Sequence, residues 1–338
     1  MALQGSGNPI SLAQIQAELG GENPISLSEY YRNGDYTISY NTNVPTTGLI
    51  DFEDFYGAVS YFNITMSGSY QGLNLYNYAI ALGWDQQDPV KLTINSGQYI
   101  WSDDTSVPAL TISSAFNSKL EIYNYGYIIG KGGDGGSGGG YGGRPANGQN
   151  GGPAISNSAT GVLLTNASGA FIAGGGGGGG AGTFSGGGGG AGGGRGGWEN
   201  YGGTAGALGG SIGNKGADGG HSERWSDGGG GGGAGGGGGS SYDWSSGPDG
   251  GGAGGGGGRQ LPGTGGYQGD AAGYHIGDSG GAAGNNAPNN GAGRHGGGGG
   301  GWGASGSSGN THGGGSGGAA ITGTSVTLTN NGTIYGSY

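Results

Sequence analysis

Three short stretches near the start of the chain repeat one arrangement of apolar and polar positions: Ile10-Ser-Leu-Ala-Gln-Ile-Gln, Ile25-Ser-Leu-Ser-Glu-Tyr-Tyr and Ile50-Asp-Phe-Glu-Asp-Phe-Tyr. In each, an isoleucine precedes a cap-forming residue (Ser11, Ser26, Asp51), and Gln14, Glu29 or Asp54 follows three positions later. That spacing is a capping box with an apolar staple, so each copy predicts a helical turn or two. Gly20, Gly34 and Gly57 are placed to stop them. Helices this short do not persist alone in water. They are expected to dock on a larger body with Leu12, Ile15, Leu19, Leu27, Tyr30, Tyr31, Phe52, Phe55 and Tyr56 turned inward. They would serve either as a wrapper on the next domain or as a plug for a partner subunit.

From 58 to 130 the pattern becomes that of strands. Val59–Met66, Leu73–Leu82, Val90–Ile94, Leu110–Ile112 and Leu120–Ile129 are rich in aliphatic, Tyr and Thr residues and are divided by Gly, Asn, Asp and Pro. About seventy residues make only a small core, so this unit is expected to lean on its neighbours. A longer repeat then joins it to the rest of the chain. Leu120-Glu-Ile-Tyr-Asn-Tyr-Gly-Tyr-Ile-Ile-Gly recurs as Val162-Leu-Leu-Thr-Asn-Ala-Ser-Gly-Ala-Phe-Ile-Ala-Gly and as Val326-Thr-Leu-Thr-Asn-Asn-Gly-Thr-Ile-Tyr-Gly. Strand, Asn/Gly turn and strand predict stacked hairpins, the last of them, within 321–338, closing the structure.

Glycine changes the picture most. Of 102 glycines, 86 fall in 131–320, in runs such as Gly174–Gly180, Gly228–Gly233 and Gly254–Gly258. The collagen period is absent and proline is scarce. Two states compete for this region. One is a flexible linker, since each glycine costs about 0.5–1 kcal/mol more than alanine to order. The other is a bundle of extended helices with three residues per turn and a rise of about 3.1 Å, whose outward N–H and C=O groups pair between neighbours. Only glycine allows that approach on every side. The interruptions favour the bundle, because they carry Trp198, Trp225, Trp244 and Trp302, and linkers rarely hold tryptophan. Aromatics beside Arg, Asp and Ser are the composition of an interaction surface. Trp198 or Trp302 could equally cover the bundle edge.

Charge and motifs exclude more than they assign. Residues 1–130 hold 12 acids and 3 bases, and 131–320 hold 9 acids and 7 bases, so neither half offers the basic footprint of a nucleic-acid surface. There is no cysteine, hence no disulfide framework or thiolate metal site. No apolar run long enough to span a membrane and no basic leader with an apolar stretch is seen, so neither membrane insertion nor a secretion signal is expected. His221, His275, His295 and His312 lack metal-ligand spacing, and Asp218, His221, Glu223 and Asp227 read as a solvated loop. The sequons at Asn63, Asn166 and Asn331 read as chance. An enzyme is not expected, nor a cofactor or metal.

The segment Asn124-Tyr-Gly-Tyr-Ile-Ile-Gly-Lys-Gly-Gly-Asp-Gly-Gly136 resembles the start of the glycine-rich domain of tail-fibre-tip adhesins in T-even-like phages. Asn23-Pro-Ile-Ser-Leu-Ser-Glu-Tyr-Tyr-Arg-Asn-Gly34 is similar to an amino-terminal motif that recurs in phage tail and structural proteins. Together with the patterns above, the resemblance implies a mainly β and irregular fold in four parts. These are an attachment segment with three short helical repeats (1–57), a β-rich domain (58–130), a polyglycine type II helix bundle with receptor-binding loops (131–320) and a closing β-hairpin (321–338). It further implies a receptor-binding protein on the distal tail of the virion, extracellular on the mature particle, which recognises a host bacterial outer-membrane protein. Trp198, Tyr201, Trp225, Tyr242, Trp244, Tyr267, Tyr274 and Trp302 are the receptor-contact candidates. Leu12, Ile15, Leu27, Tyr30, Tyr31, Phe52, Phe55 and Tyr56 are the candidates for attachment to a tail-fibre or tail-tip subunit. The triple Ile-Ser-Leu-like start departs from the family and leaves fibre against central tail tip open. A structural virion protein of the tail tip or baseplate, using the glycine domain for assembly, is the alternative; an ice-binding or matrix protein would need a flatter, more regular polar face.

Overall fold

The computed structural model describes residues 3–117, 119–139, 144–198, 206–219, 229–234, 236, 239, 254–268, 277–289 and 295–338. All three capping boxes form. Helix α1 (Leu12–Leu19) and two 3-10 turns (Leu27–Tyr30 and Phe52–Phe55) each begin with the cap backbone N–H donating to the side chain three residues on, at 2.8, 3.2 and 2.9 Å. These turns do not depend on another body for their core: Leu3, Ile15, Leu19, Tyr30, Val44, Phe55 and Ala58 make one of their own. Tyr30 satisfies its buried hydroxyl on the Gly20 carbonyl at 2.7 Å. Leu12 and Leu27 are partly buried and Phe52 is 41% exposed, so Phe52 does not turn inward as its spacing predicts.

Among the described residues fourteen short strands follow in three sheets, and every pairing between them is parallel. The first sheet stacks β1 (Phe62–Met66), β4 (Val90–Ile94), β7 (Leu120–Asn124), β10 (Leu163–Asn166) and β13 (Thr327–Asn330). The second holds β2 (Tyr70–Gln71), β5 (Tyr99–Trp101), β8 (Tyr127–Ile129), β11 (Phe171–Ala173) and β14 (Thr333–Tyr335). The third holds β3 (Leu73–Asn74), β6 (Leu110–Ile112), β9 (Ile155–Asn157) and β12 (Ile321–Gly323). The chain visits one strand of each sheet in turn and then rises to the next coil, which makes a solenoid with three faces. Alternate residues point inward, so Ile64, Leu92, Ile122 and Leu164 fill one core with Ile100, Ile128, Ile172, Leu110 and Ile155.

This corrects the expected hairpins. The repeated strand–turn–strand units are corners: their two strands lie in different sheets, and each pairs with its counterpart in the adjacent coil. The segment 321–338 is likewise no hairpin but the last turn of the solenoid, with β13 on β10 and β14 on β11. An asparagine marks the corner in successive coils, buried at Asn124 and Asn166 and exposed at Asn330. Asn124 Nδ2 donates to Asn166 Oδ1 at 2.8 Å, and Asn166 Nδ2 to Asn330 Oδ1 at 2.9 Å. Beside this ladder Tyr99, Tyr127, Phe171 and Tyr335 stack at 4.4, 5.7 and 6.3 Å between ring centres. Residues 75–81 also depart from their strand pattern. Asn74 caps the Asn77 N–H, and Leu75 and Ala79, one helical turn apart, are buried, giving helix α2 (Leu75–Ala81).

The glycine-rich chain is inserted at one corner, between β8 and β9 and again between β11 and β12. Its organisation is visible along 174–182. The N–H groups of Gly174, Gly177 and Gly180 donate to Tyr335, Ala304 and Ser307; those of Gly175, Gly178 and Ala181 to Gly152, Gln149 and Ala146; those of Gly176, Gly179 and Gly182 to Ala191, Gly188 and Ser185. Carbonyls follow the same period of three, accepting from 297–303, from 312–318 and from 133–136. One extended run is thus hydrogen-bonded on all sides by different segments. No side chain fits between them: a Cβ on Gly177 would stand 1.9 Å from the Gly315 carbonyl oxygen.

Arg259 fastens this body to the solenoid. Its guanidinium, 6% exposed, donates to the carbonyls of Gly192 (3.1 Å) and Ser102 (3.2 Å) and pairs with Asp103. Burial pushes the Asp103 carboxyl up, but the Arg259 bond and charge outweigh it and hold the group below its usual range. Burial likewise pushes the neighbouring Lys131 ammonium down.

Three outcomes follow from these contacts. Asn166→Leu, which takes from Asn124 the shorter of its two side-chain bonds and from Asn330 its donor, should lower unfolding free energy by about 1–3 kcal/mol in a denaturant titration. Gly177→Ala overpacks the backbone and should cost about 1–3 kcal/mol or more, whereas Gly5→Ala, with nothing within 4 Å of the added methyl, should leave the melting temperature unchanged. Because the folded Asp103 pKa is depressed, the stability it contributes is present above about pH 4 and lost as pH falls through the folded value. Asp103→Asn should therefore remove part of the acid-induced drop in melting temperature.

Candidate functional site

The glycine segments run back and forth between two ends, and the hydrogen-bond ladder assigns each connection to one of them. At the near end, against the solenoid, the connections are tight: 191–194, 211–214, 259–263, 282–285 and 301–304. Each contains a glycine at positive φ, among them Gly192, Gly213, Gly263, Gly284 and Gly303, a backbone that side chains other than glycine rarely adopt. At the far end two short connections are described. Thr183 and Asn310 join them: the Thr183 N–H donates to Asn310 Oδ1 at 3.0 Å, Asn310 Nδ2 donates to Thr183 Oγ1 at 3.2 Å, and Thr311 Oγ1 donates to the Ala181 carbonyl at 2.9 Å.

The longer interruptions open from the far end too. Described chain stops there at Gly139, Trp198, Gly219, Gly239, Gln268 and Asn289, and resumes at Arg144, Gly206, Gly229, Gly254, Gly277 and His295. The level of these stops follows from their partners. Gly138 N–H donates to the Trp198 carbonyl at 2.8 Å, and Gly239 N–H to the Tyr267 carbonyl at 2.8 Å. Both side chains face water, Trp198 at 55% and Tyr267 at 86% exposure.

Of the eight aromatic candidates, these two are brought to one edge. Tyr201, Trp225, Tyr242, Trp244 and Tyr274 lie outside the described residues, within interruptions whose flanks reach that same edge. Trp302 is different. It sits at the near end, fully buried with Ile129, Ala173, Ala191 and Ala234, and its Nε1–H donates to the Gln260 carbonyl at 3.2 Å. An enclosed ring cannot touch a partner, so Trp302 seals the joint between the two bodies.

Just beneath the far edge lies a polar group that sequence reading passed over. Asp278 is fully buried; its Oδ2 accepts from Ser307 Oγ at 2.7 Å and lies 3.9 Å from His295 Nδ1, while Ser307 Oγ accepts from the Gly298 N–H at 2.8 Å. It ties together three neighbouring segments. The three residues are spread over 278–307, so no spacing announces them. Among the described residues no group of His, Asp and Glu could hold a metal ion, and of the expected solvated loop His221, Glu223 and Asp227 lie outside them. No described helix is long and apolar enough to cross a membrane.

The attachment candidates divide as well. Ile15, Tyr30 and Phe55 are fully buried in the amino-terminal core and are unavailable to a partner. Phe52 is exposed, and Leu12, Leu27, Tyr31 and Tyr56 are partly so. Tyr56 lines a cleft of about 350 Å3 with Tyr40, Asn41 and Asp54.

Comparison with known proteins bears on this arrangement. No curated protein matches the chain. One solved structure, the gp37–gp38 adhesin tip complex of the bacteriophage S16 long tail fibre, aligns over 100% of both chains at 21% identity with a TM-score of 0.44. A family model described as "Phage tail fibre adhesin Gp38" matches residues 61–248. That stretch takes in most of the solenoid and much of the glycine-rich body, over half of the chain, and the protein therefore belongs to the Gp38 family of phage tail fibre adhesins: a receptor-binding protein of the virion tail, not an enzyme.

Proposed function

We propose that the glycine-rich body is a bundle of polyglycine type II helices whose far edge carries the host-contacting loops. The single observation that carries this reading is the period of three in the hydrogen bonds of 174–182, with successive residues directed to different neighbours. Three residues per turn with outward backbone groups is the geometry of an extended left-handed helix of the polyproline II kind. Each backbone bond contributes on the order of 1 kcal/mol net, and a lattice of them holds a slab rigid without a side-chain core.

A rigid slab with loops at one edge is suited to a folded target. Trp198 and Tyr267 at that edge offer broad, stiff contact area beside polar groups, the composition of energetic anchors in protein interfaces. With the loops of 199–205, 220–228, 240–253 and 269–276 they would recognise an outer-membrane protein of the host bacterium. The adhesin sits at the outer end of the tail, exposed outside the particle, and its amino-terminal segment 1–57 joins it to a tail-fibre subunit through the residues its own core leaves outside: Phe52, Tyr31, Tyr56, Leu12 and Leu27.

The test is a set of alanine substitutions read by adsorption of purified protein to host cells. Trp198→Ala, Trp225→Ala, Trp244→Ala and Tyr267→Ala are expected to leave the melting temperature in place, with at least one lowering affinity ten-fold or more, which corresponds to about 1.4 kcal/mol. Trp302→Ala should instead lower the unfolding free energy by the roughly 3–5 kcal/mol of an emptied aromatic site, and the melting temperature with it. Unchanged adsorption for all four edge variants would overturn the assignment.

A further inference from the structure

The solenoid has a face that points away from the loops. Strands β8 and β11 run straight on into Gly130 and Gly174, so the glycine segments continue the second sheet outward, away from its corner with the first sheet. At about 3.1 Å per residue, the run from Gly174 to Gly180 places the far edge some 20 Å beyond the corner between the second and third sheets. In a coil of three faces, the first sheet is the side opposite that corner. An adhesin that presents its far edge to the host has the rest of the fibre behind it, and what stands behind is the outer surface of the first sheet.

That surface is unlike the rest of the molecule. Two outward rows cross five strands in register: Asn63, Lys91, Glu121, Leu163 and Thr327, and beside them Thr65, Thr93, Tyr123, Thr165 and Thr329. In a chain of net charge −11 these rows carry one acid and one base, and the two are tied to each other. Lys91 Nζ lies 3.9 Å from the Glu121 carboxylate and 4.1 Å from the centre of the Tyr61 ring, whose hydroxyl donates to Glu121 at 2.6 Å. Tyr123 donates to the other Glu121 oxygen at 3.2 Å. Such a knot is rigid before any partner arrives, and an interface core depleted of free charge but holding aromatic rings is the usual pattern. Leu163, 46% exposed, stands next to it on β10.

We propose that a tail-fibre subunit docks on this outer face of the first sheet, with an uncharged surface of apolar and hydrogen-bonding groups laid across the two rows. The proposal rests on the adhesin reading above and gives the fibre-facing surface a definite place. Its size sets a further condition. Five strands about 4.8 Å apart and four or five residues long cover roughly 20 by 15 Å, or some 300 Å2, less than half of the ~800 Å2 per partner of a stable interface. The footprint must continue onto the amino-terminal segment, and that surface is contiguous. Tyr40, 57% exposed, packs its ring edge-on at 5.3 Å against Phe62 at the start of β1 and lines the Tyr56 cleft.

Two outward charges test it: Leu163→Arg and Thr165→Arg. Both positions point away from the core, so the melting temperature should hold. Each variant is titrated against the purified tail-fibre subunit of the same virion, and separately against host cells. At least a ten-fold loss of fibre affinity with host-cell binding unchanged is the expected result, and Trp198→Ala should give the opposite split. Fibre binding unchanged by both arginines would overturn the proposal, most directly if Phe52→Ala with Tyr56→Ala abolished it and so assigned docking to the amino-terminal segment alone. A wild-type chain that binds host cells but not the fibre subunit would overturn it together with the attachment reading. Self-association of the wild type in sedimentation, lost in Leu163→Arg, would assign the face to a second copy.

Discussion

The structure depends on backbone groups meeting backbone groups at distances that no side chain permits. A buried N–H or C=O left without a partner costs as much as several favourable contacts return, and a glycine run offers nothing else to set against the entropy of ordering it. The arrangement along 174–182 meets that constraint by giving consecutive residues different partners, so that every turn of chain is hydrogen-bonded outward. Neighbours then lie so close that most glycines of the body would drive a Cβ into a carbonyl at about 2 Å. The composition is thus a packing requirement.

A body of this kind needs an edge to start from, and the solenoid supplies it. Its coils present parallel strands whose last residues, Ile129 and Ala173, already pair in register; the glycine segments inherit that alignment and extend it. The joint is closed by large groups that the slab itself lacks. Trp302 fills the apolar space above Ile129 and Ala173, and Arg259 links the Ser102 and Gly192 carbonyls across it. Division of labour follows from this. Side-chain packing holds the solenoid, and backbone pairing holds the slab.

The near-end turns described are all tight, whereas at the far end short connections stand beside the flanks of the longer interruptions. Near-end turns press against the solenoid and have room only for a few residues with glycine at positive φ. Far-end connections meet no such wall, so their length and composition are free to vary without disturbing the lattice. This is the general reason that recognition resides in loops on a rigid frame.

Local features were legible in the letters. Ser11, Ser26 and Asp51 start their turns because the capping box is a short-range geometry that neighbouring residues satisfy alone, and the glycine runs exclude an ordinary core whatever surrounds them. The repeated apolar strand with Asn at its end was visible too, but not its meaning: Asn124 and Asn166 lie forty-two positions apart, and only stacking of coils turns a corner residue into a rung of a ladder and a supposed hairpin into parallel strands. Helix α2 shows the same limit, since Leu75–Ala81 alternates well enough for a strand until the Asn74 cap and the buried pair Leu75 and Ala79 decide. Trp198 and Trp302 each follow a pair of glycines in glycine-rich chain, yet one is exposed at the far edge and the other sealed at the joint. The sequence by itself determined where chain could turn and where backbones could touch; the tertiary structure decided which end each turn occupies, because that follows from the direction in which hydrogen-bonded segments enter from the solenoid.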